Sequence, residues 1–143
     1  MNIKKEKFGK IDNNDIYEYT LSNSNKLSLS VITYGGIITK IMMSDRNGEV
    51  ENITVNMKSL EEIIKARPFH GAIIGPVSGR ISNGEYFDED QKVELTKNEE
   101  GNTLHGGLKG LDTKLWDATT ENNEESVSLI LKTKLLAKQF FLI

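Results

Sequence analysis

The chain contains no cysteine. That excludes a disulfide framework and thiolate chemistry, and it is compatible with a reducing compartment. Histidine occurs only at positions 70 and 105. With no cysteine and no HExxH spacing, two imidazoles do not make a zinc site, so no metal is expected. Aromatic residues are 7% of the chain and do not interleave with basic ones, which disfavours stacking on single-stranded nucleic acid. Eighteen basic and 21 acidic residues are mixed along the chain, for a net charge of −3. A nucleic-acid partner normally requires a concentrated basic face, and none is expected here. No apolar run approaches the length of a membrane span. The opening MNIKKEKFGK is charged and lacks the apolar centre of a secretory signal. A cytoplasmic protein is therefore expected. What is present, 37% hydrophobic and 27% charged residues over 143 positions, is enough for one domain with a real core.

The first fifty residues read as strands and turns. Asp15 to Leu21 alternates, with Ile16, Tyr19 and Leu21 as packers, and Leu27 to Tyr34 places Leu27, Leu29, Val31 and Thr33 on one face. Gly35-Gly36 interrupts, and Ile37 to Met43 resumes as strand. Asp45-Arg46-Asn47-Gly48 predicts a hairpin with positive φ at both Asn47 and Gly48. Ile53 to Met57 reads as a further short strand. Ser59 to Lys65 is the one convincing helix, capped by Ser59 with Glu62 three residues on and stopped by Pro68. Its Glu61-Glu62 pair is a solvated face, because adjacent helical positions point apart. His70 to Ile74 reads as an apolar strand, and Gly84 to Thr96 as a hairpin with Asp88, Glu89 and Asp90 at its tip. Those carboxylates lack the spacing of a calcium loop. Lys97 to Gly101 is polar loop. After Trp116 another strand places Val127, Leu129, Leu131 and Thr133 on one face.

The stretch Gly101 to Trp116, GNTLHGGLKGLDTKLW, concentrates the chemistry. His105 sits beside Gly106 and Gly107, which leave the ring uncovered and allow a ligand to approach the main chain. Histidine exchanges protons near neutral pH, Asp112 adds a carboxylate, and Trp116 offers an apolar face with an N–H at its edge. An ordinary turn with a solvated histidine accounts for the same letters. Arg80, in GPVSGRI, has a guanidinium that can fork onto ligand hydroxyls, or form a surface salt bridge. The glycines of HGGLKG are not followed by Gly-Lys-Ser/Thr, so a phosphate loop is excluded, and no serine lies in a GxSxG elbow.

Several segments together resemble the galactose mutarotase (aldose 1-epimerase) family. Tyr34-Gly35-Gly36-Ile37-Ile38 is similar to its YGA-type turn, followed by a strand and the Asp-Arg-x-Gly turn at Asp45–Gly48. Residues 74–81 resemble its GRxxNRI segment. Asn102 to Gly107 match N-x-LHGG, and Gly110-Leu111-Asp112 with Trp116 match the G-F-D…W that follows. Arg80 and His105 lie 25 residues apart, as in the family. The resemblance implies an all-β fold, an antiparallel β-sandwich of the galactose mutarotase type, with one short helix near 59–65. It covers residues 1–125, whereas the last strand and apolar tail at 126–143 are not family-like. It also implies interconversion of the α and β anomers of free aldoses such as glucose or galactose by general acid–base chemistry, with no cofactor. By the same resemblance His105 is catalytic and contacts the sugar near its ring oxygen, and Arg80, His105, Gly79 and Asp112 bind substrate.

The departures are specific. The family asparagine before the arginine is Gly79 here, its first arginine is Pro76, and its phenylalanine is Leu111. Its second histidine, a sugar-binding aspartate and its catalytic glutamate lie beyond this chain's matching segments. The expectation is therefore an incomplete, N-terminal part of the sandwich, truncated and weakly active or inactive alone. The alternative is a non-catalytic carbohydrate-binding or vestigial half-domain. An exposed inner sheet face and the tail Leu135 to Ile143, ending Phe-Phe-Leu-Ile, predict self-association or docking of a partner chain that supplies the rest.

Overall fold

The computed structural model describes residues 1–55 and 57–135. Its main layer is a five-stranded antiparallel meander in the order β1-β2-β3-β4-β5. The strands are β1 (Asn2–Ile11), β2 (Asn14–Ser22), β3 (Ser28–Ile32), β4 (Ile38–Ser44) and β5 (Val50–Asn52). Helix α1 (Leu60–Ala66) follows. Then come β6 (Arg80–Ile81), β7 (Glu85–Asp88), β8 (Gln91–Glu94), β9 (Thr103–Leu104), β10 (Asp117–Asn122) and β11 (Val127–Lys132). β6 pairs with β9, β7 with β8 and β10 with β11, all antiparallel. The mostly antiparallel β architecture is the one the sequence predicts. Among the described residues no helix is long and apolar enough to cross a membrane.

β2 and β3 are buried on both faces. Glu18 pairs with Ile32 and Thr20 with Ser30, so Ile16, Glu18, Ser30 and Ile32 share a face, because side chains alternate along a strand. Ile16 and Ile32 are fully buried there, against Ile37, Leu60 and Ile63. Leu60 and Ile63 come from α1 at i and i+3, which lays one stripe of the helix on the sheet. Further along the same face the buried groups are polar. Thr39 Oγ1 donates to Glu18 Oε1 at 2.5 Å, and Lys40 Nζ lies 3.3 Å from Glu18 Oε2. The opposite face carries Tyr19, Val31 and Thr33, each 6–7% exposed, and β11 lies against β2. The alternation reading found the strand but only one of its two buried faces, and Leu27, assigned to that face, is exposed.

Helix α1 starts as expected. Ser59 Oγ accepts from the Glu62 N–H at 3.2 Å, while Glu62 Oε2 accepts from the Lys58 N–H at 2.8 Å, satisfying donors that the first turn leaves unpaired. It ends at Arg67, a left-handed C-cap whose N–H reaches Ile63 O. β1 was not foreseen as a strand. It is an edge strand with mostly exposed side chains, so it lacks the period-2 apolar signal. Its register shifts between Lys7 and Gly9. A Cβ at Gly9 would lie 2.6 Å from Leu60 Cδ2, so a larger residue would have to push the Leu60 side chain aside where the strand meets the helix.

Three local expectations are corrected. The strand after the Asp45 turn is Val50–Asn52, not 53–57. Asn52 Oδ1 accepts from the Ile41 and Thr54 N–H groups, so a side chain replaces the ladder and ends the strand. Position 56 of that expected strand lies outside the described residues. In the turn itself only Gly48 has positive φ. Asp45 Oδ1 accepts from the N–H groups of Asn47 and Glu49, which holds the turn without a left-handed Asn47. His70 to Ile74 is not a strand. Phe69 and Gly71 have φ of 63° and 68°, and the segment meets the sheet through single bonds, Ile38 N–H to Gly71 O and Ile73 N–H to Gly35 O. The predicted tail beyond Leu135 lies outside the described residues.

Ile32 has no exposed surface, so Ile32→Ala should lower the unfolding free energy by about 2–5 kcal/mol. Val55→Ala, at a side chain that is 77% exposed, should change it by less than about 0.5 kcal/mol. Urea denaturation of the two variants measures both.

Candidate functional site

The β6–β9 ladder pairs Arg80 with Leu104 and Ile81 with Thr103, so the expected site residue Arg80 lies on β6 and His105 in the turn that directly follows β9. Gly79 closes the ladder. The His105 N–H donates to Gly79 O at 3.0 Å, and the Gly79 N–H donates back to His105 Nδ1 at 3.1 Å. A nitrogen that accepts from an amide carries no proton, so the neutral ring holds its proton on Nε2. His105 is half-buried, and Phe69 packs on its ring in a T-shaped contact with centroids 5.1 Å apart.

Arg80 is held by Glu99. Its Nε donates to Glu99 Oε2 at 2.7 Å and its Nη2 to Glu99 Oε1, a bidentate fork. Hydrogen bonding from Arg80 holds the Glu99 carboxyl below its ordinary value, and the Arg80 charge acts in the same direction, as would a proton added to the nearby His105. Arg80, Glu99 and His105 therefore form one electrostatic corner. The sequence around Glu99 gives only polar loop and no sign of a partner 19 positions earlier.

Asp112 is 4% exposed and faces the other way. Its Oδ2 accepts from Arg67 Nε at 2.7 Å and its Oδ1 from Arg67 Nη2 at 2.9 Å; Nη2 also donates to Gly107 O at 2.8 Å. The carboxylate that the resemblance assigns to substrate is thus fully engaged by Arg67, a residue the sequence did not single out. The pair lines a small cavity of about 20 Å³ with Tyr34, Phe69 and His70. Burial pushes the Tyr34 phenol up, with Asp112 adding to the shift and Arg67 opposing it. Asp112 is the deeply buried partner, with 3% side-chain exposure against 24% for Arg67, so removing Arg67, which strands the carboxylate, costs at most roughly 3–5 kcal/mol. Trp116 is half-buried: its Nε1 donates to Leu111 O at 3.4 Å, and its main-chain N–H donates to Thr33 O at 2.9 Å.

The backbone here is unusual. Arg67, Phe69 and His105 all have positive φ, at 42°, 63° and 51°, and each such placement of a bulky residue costs on the order of 1–3 kcal/mol. Gly106, at φ 86°, sits so close to Gly75 that a Cβ would overlap the Gly75 carbonyl. An apolar groove of about 330 Å³, lined by Pro76, Val77, Ile81, Tyr86, Leu95 and Thr103, includes Ile81 and Thr103. Neighbours of Arg80 and Leu104 on their strands, these point to the opposite face of the ladder. That groove is not the corner that holds the titratable groups. Among the described residues no group of three or more His, Asp and Glu could hold a metal ion.

Residues 17–140 match the family described as Aldose 1-epimerase. Galactose mutarotase from Rattus norvegicus is 32% identical over 100 residues, covering 70% of this chain and 29% of that protein. Aldose 1-epimerase from Streptococcus thermophilus is 31% identical over 127 residues, covering 89% of this chain and 36% of that protein. The crystal structure of galactose 1-epimerase from Lactobacillus acidophilus superposes with a TM-score of 0.77 at 28% identity, over 91% of this chain and 37% of that one. The chain spans about a third of the length of these relatives.

The Arg80–Glu99 pair should follow the Glu99 titration. Because the folded carboxyl sits below its ordinary value of 4.5, the pair's contribution to stability is fully present above that value and is lost as pH falls through the lower, folded one. A carbon-13 NMR titration of Glu99 should give a midpoint under 4.5, and Arg80→Gln should move it back up. An unmoved midpoint would mean that the fork is absent in solution.

Proposed function

Because the chain belongs to the aldose 1-epimerase family, we propose that the corner built by Gly79, Arg80, Glu99 and His105 is one wall of a cleft for a free aldose such as glucose or galactose. The reaction it serves is interconversion of the α and β anomers. A proton goes to the ring oxygen while the anomeric hydroxyl loses one. The C1–O5 bond breaks to give the aldehyde, C1–C2 rotates, and closure on the other face inverts C1. Within that scheme His105 Nε2–H is the donor facing the ring oxygen, and Arg80, oriented by Glu99, binds hydroxyls. Asp112 serves the same wall from behind, through Arg67. The observation that supports the reading best is the Gly79 N–H on His105 Nδ1, which sets the tautomer such a donor needs.

Acid–base inversion needs a second group on the opposing side. His70, the other histidine, is exposed and lines the small cavity beside Arg67 and Asp112, not the corner. Lacking one partner typically costs on the order of 10²–10⁴-fold in rate, so we expect this chain alone to bind sugar and turn it over slowly. That same arrangement, one imidazole and one engaged guanidinium, favours carbohydrate binding without catalysis as the second reading. We place the protein in the cytoplasm.

Galactose should shift the His105 ring resonances in NMR spectra, and Arg80→Ala should abolish that shift. Polarimetry of fresh α-galactose should show an acceleration over buffer that His105→Ala removes, or none if the second reading holds. A chain that neither responds to sugar nor accelerates mutarotation overturns the carbohydrate assignment.

A further inference from the structure

We propose that Arg67 is a positioning residue for His105, acting through the buried Asp112 and through Phe69; the inference rests on the sugar-site reading of the His105 corner. Two routes run from the guanidinium to the imidazole. One is along the main chain. The guanidinium grips the segment after His105 at two points, Gly107 O and the Asp112 carboxylate. Asp112 is in turn folded back on the start of its own loop, since a Cβ at Gly110 would lie 2.5 Å from Asp112 Oδ1 and 2.7 Å from His105 O. The other route is through rings. The Arg67 guanidinium carbon lies 5.0 Å from the Phe69 ring centroid, and that ring meets the His105 ring 5.1 Å away at 64°.

Both residues leave the end of α1 in left-handed backbone, on either side of Pro68. A bulky side chain persists in that conformation only where its surroundings over-determine it. Here they do: a fork on a buried carboxylate, a carbonyl, and two rings in edge contact. His105 itself has positive φ and only two bonds to Gly79, so ring orientation depends on what packs behind it. Positioned donors need such support to stay within hydrogen-bonding geometry.

The test uses the full chain in a His70→Gln background, so that His105 supplies the only imidazole signals. Nitrogen-15 shifts report the tautomer. The parent should show a protonated Nε2 and a bare Nδ1. In folded Arg67→Gln, Asp112→Asn and Phe69→Leu the two tautomers should mix, and the galactose dissociation constant should rise about tenfold, the equivalent of one lost positioned hydrogen bond. Arg67→Lys keeps the charge but not the fork and should restore thermal stability more than it restores the tautomer. A purely structural role would lower melting temperature and leave the His105 shifts of the folded chain unchanged, and that result overturns the proposal. If Arg67→Gln does not fold, Phe69→Leu, which leaves the ion pair intact, decides on the same readout. If the tautomer responds while the parent shows no sugar-dependent shift, the sugar-site reading fails and the positioning role stands.

Discussion

The buried ion pair between Arg67 and Asp112 is the constraint on which the rest of this structure turns. It joins the end of the only α-helix among the described residues to the loop that follows His105, across 45 residues of sequence. A carboxylate at 3% side-chain exposure is tolerated inside only when its charge is matched and its lone pairs are occupied. The fork supplies both. Because the donor geometry of a guanidinium is rigid, the pair also sets the angle at which the helix end meets the loop, and with it the direction of Phe69 and His105.

That angle has consequences on both sides of the molecule. Toward the core, α1 is pressed onto the face of Ile16 and Ile32 through Leu60 and Ile63, with β1 let in close by Gly9. Toward the surface, the short β6–β9 ladder carries Arg80, and His105 leaves its end, with Glu99 bonded to Arg80. A two-residue ladder is too small to be stable by itself. Its register is held by the Gly79–His105 exchange of hydrogen bonds and by Asn98, whose side chain bonds to both the N–H and the carbonyl of Leu104. The candidate site is therefore a product of loop hydrogen bonds braced by one helix, and not of the main sheet.

Much of this was legible beforehand where the signal is local. Ser59 and Glu62 mark a helix start because capping joins residues three apart. Strands β2, β3, β4, β7, β8 and β11 show period-2 or turn-bounded patterns. The segments around Arg80 and His105 stand out as glycine-loosened, and their order carries the family resemblance. Where two signals compete, the reading failed. His70 to Ile74 is apolar enough for a strand, but the left-handed Phe69 turns the chain aside. Asn52 ends β5 with its own side chain, which no alternation rule anticipates. β1 is too charged to announce itself.

By itself, then, the sequence determined the antiparallel β character, the capped helix α1, the absence of cysteine and the family, because each rests on residue identity or on the order and spacing of short motifs. Only the tertiary structure decided who partners whom. It put Glu99 on Arg80, set the Asp112 carboxylate in the fork of Arg67, and bonded the Gly79 amide to one nitrogen of His105. The physical reason is that charge pairing and hydrogen bonding depend on distances of about 3 Å, and those are set by how distant segments fold together, not by their letters.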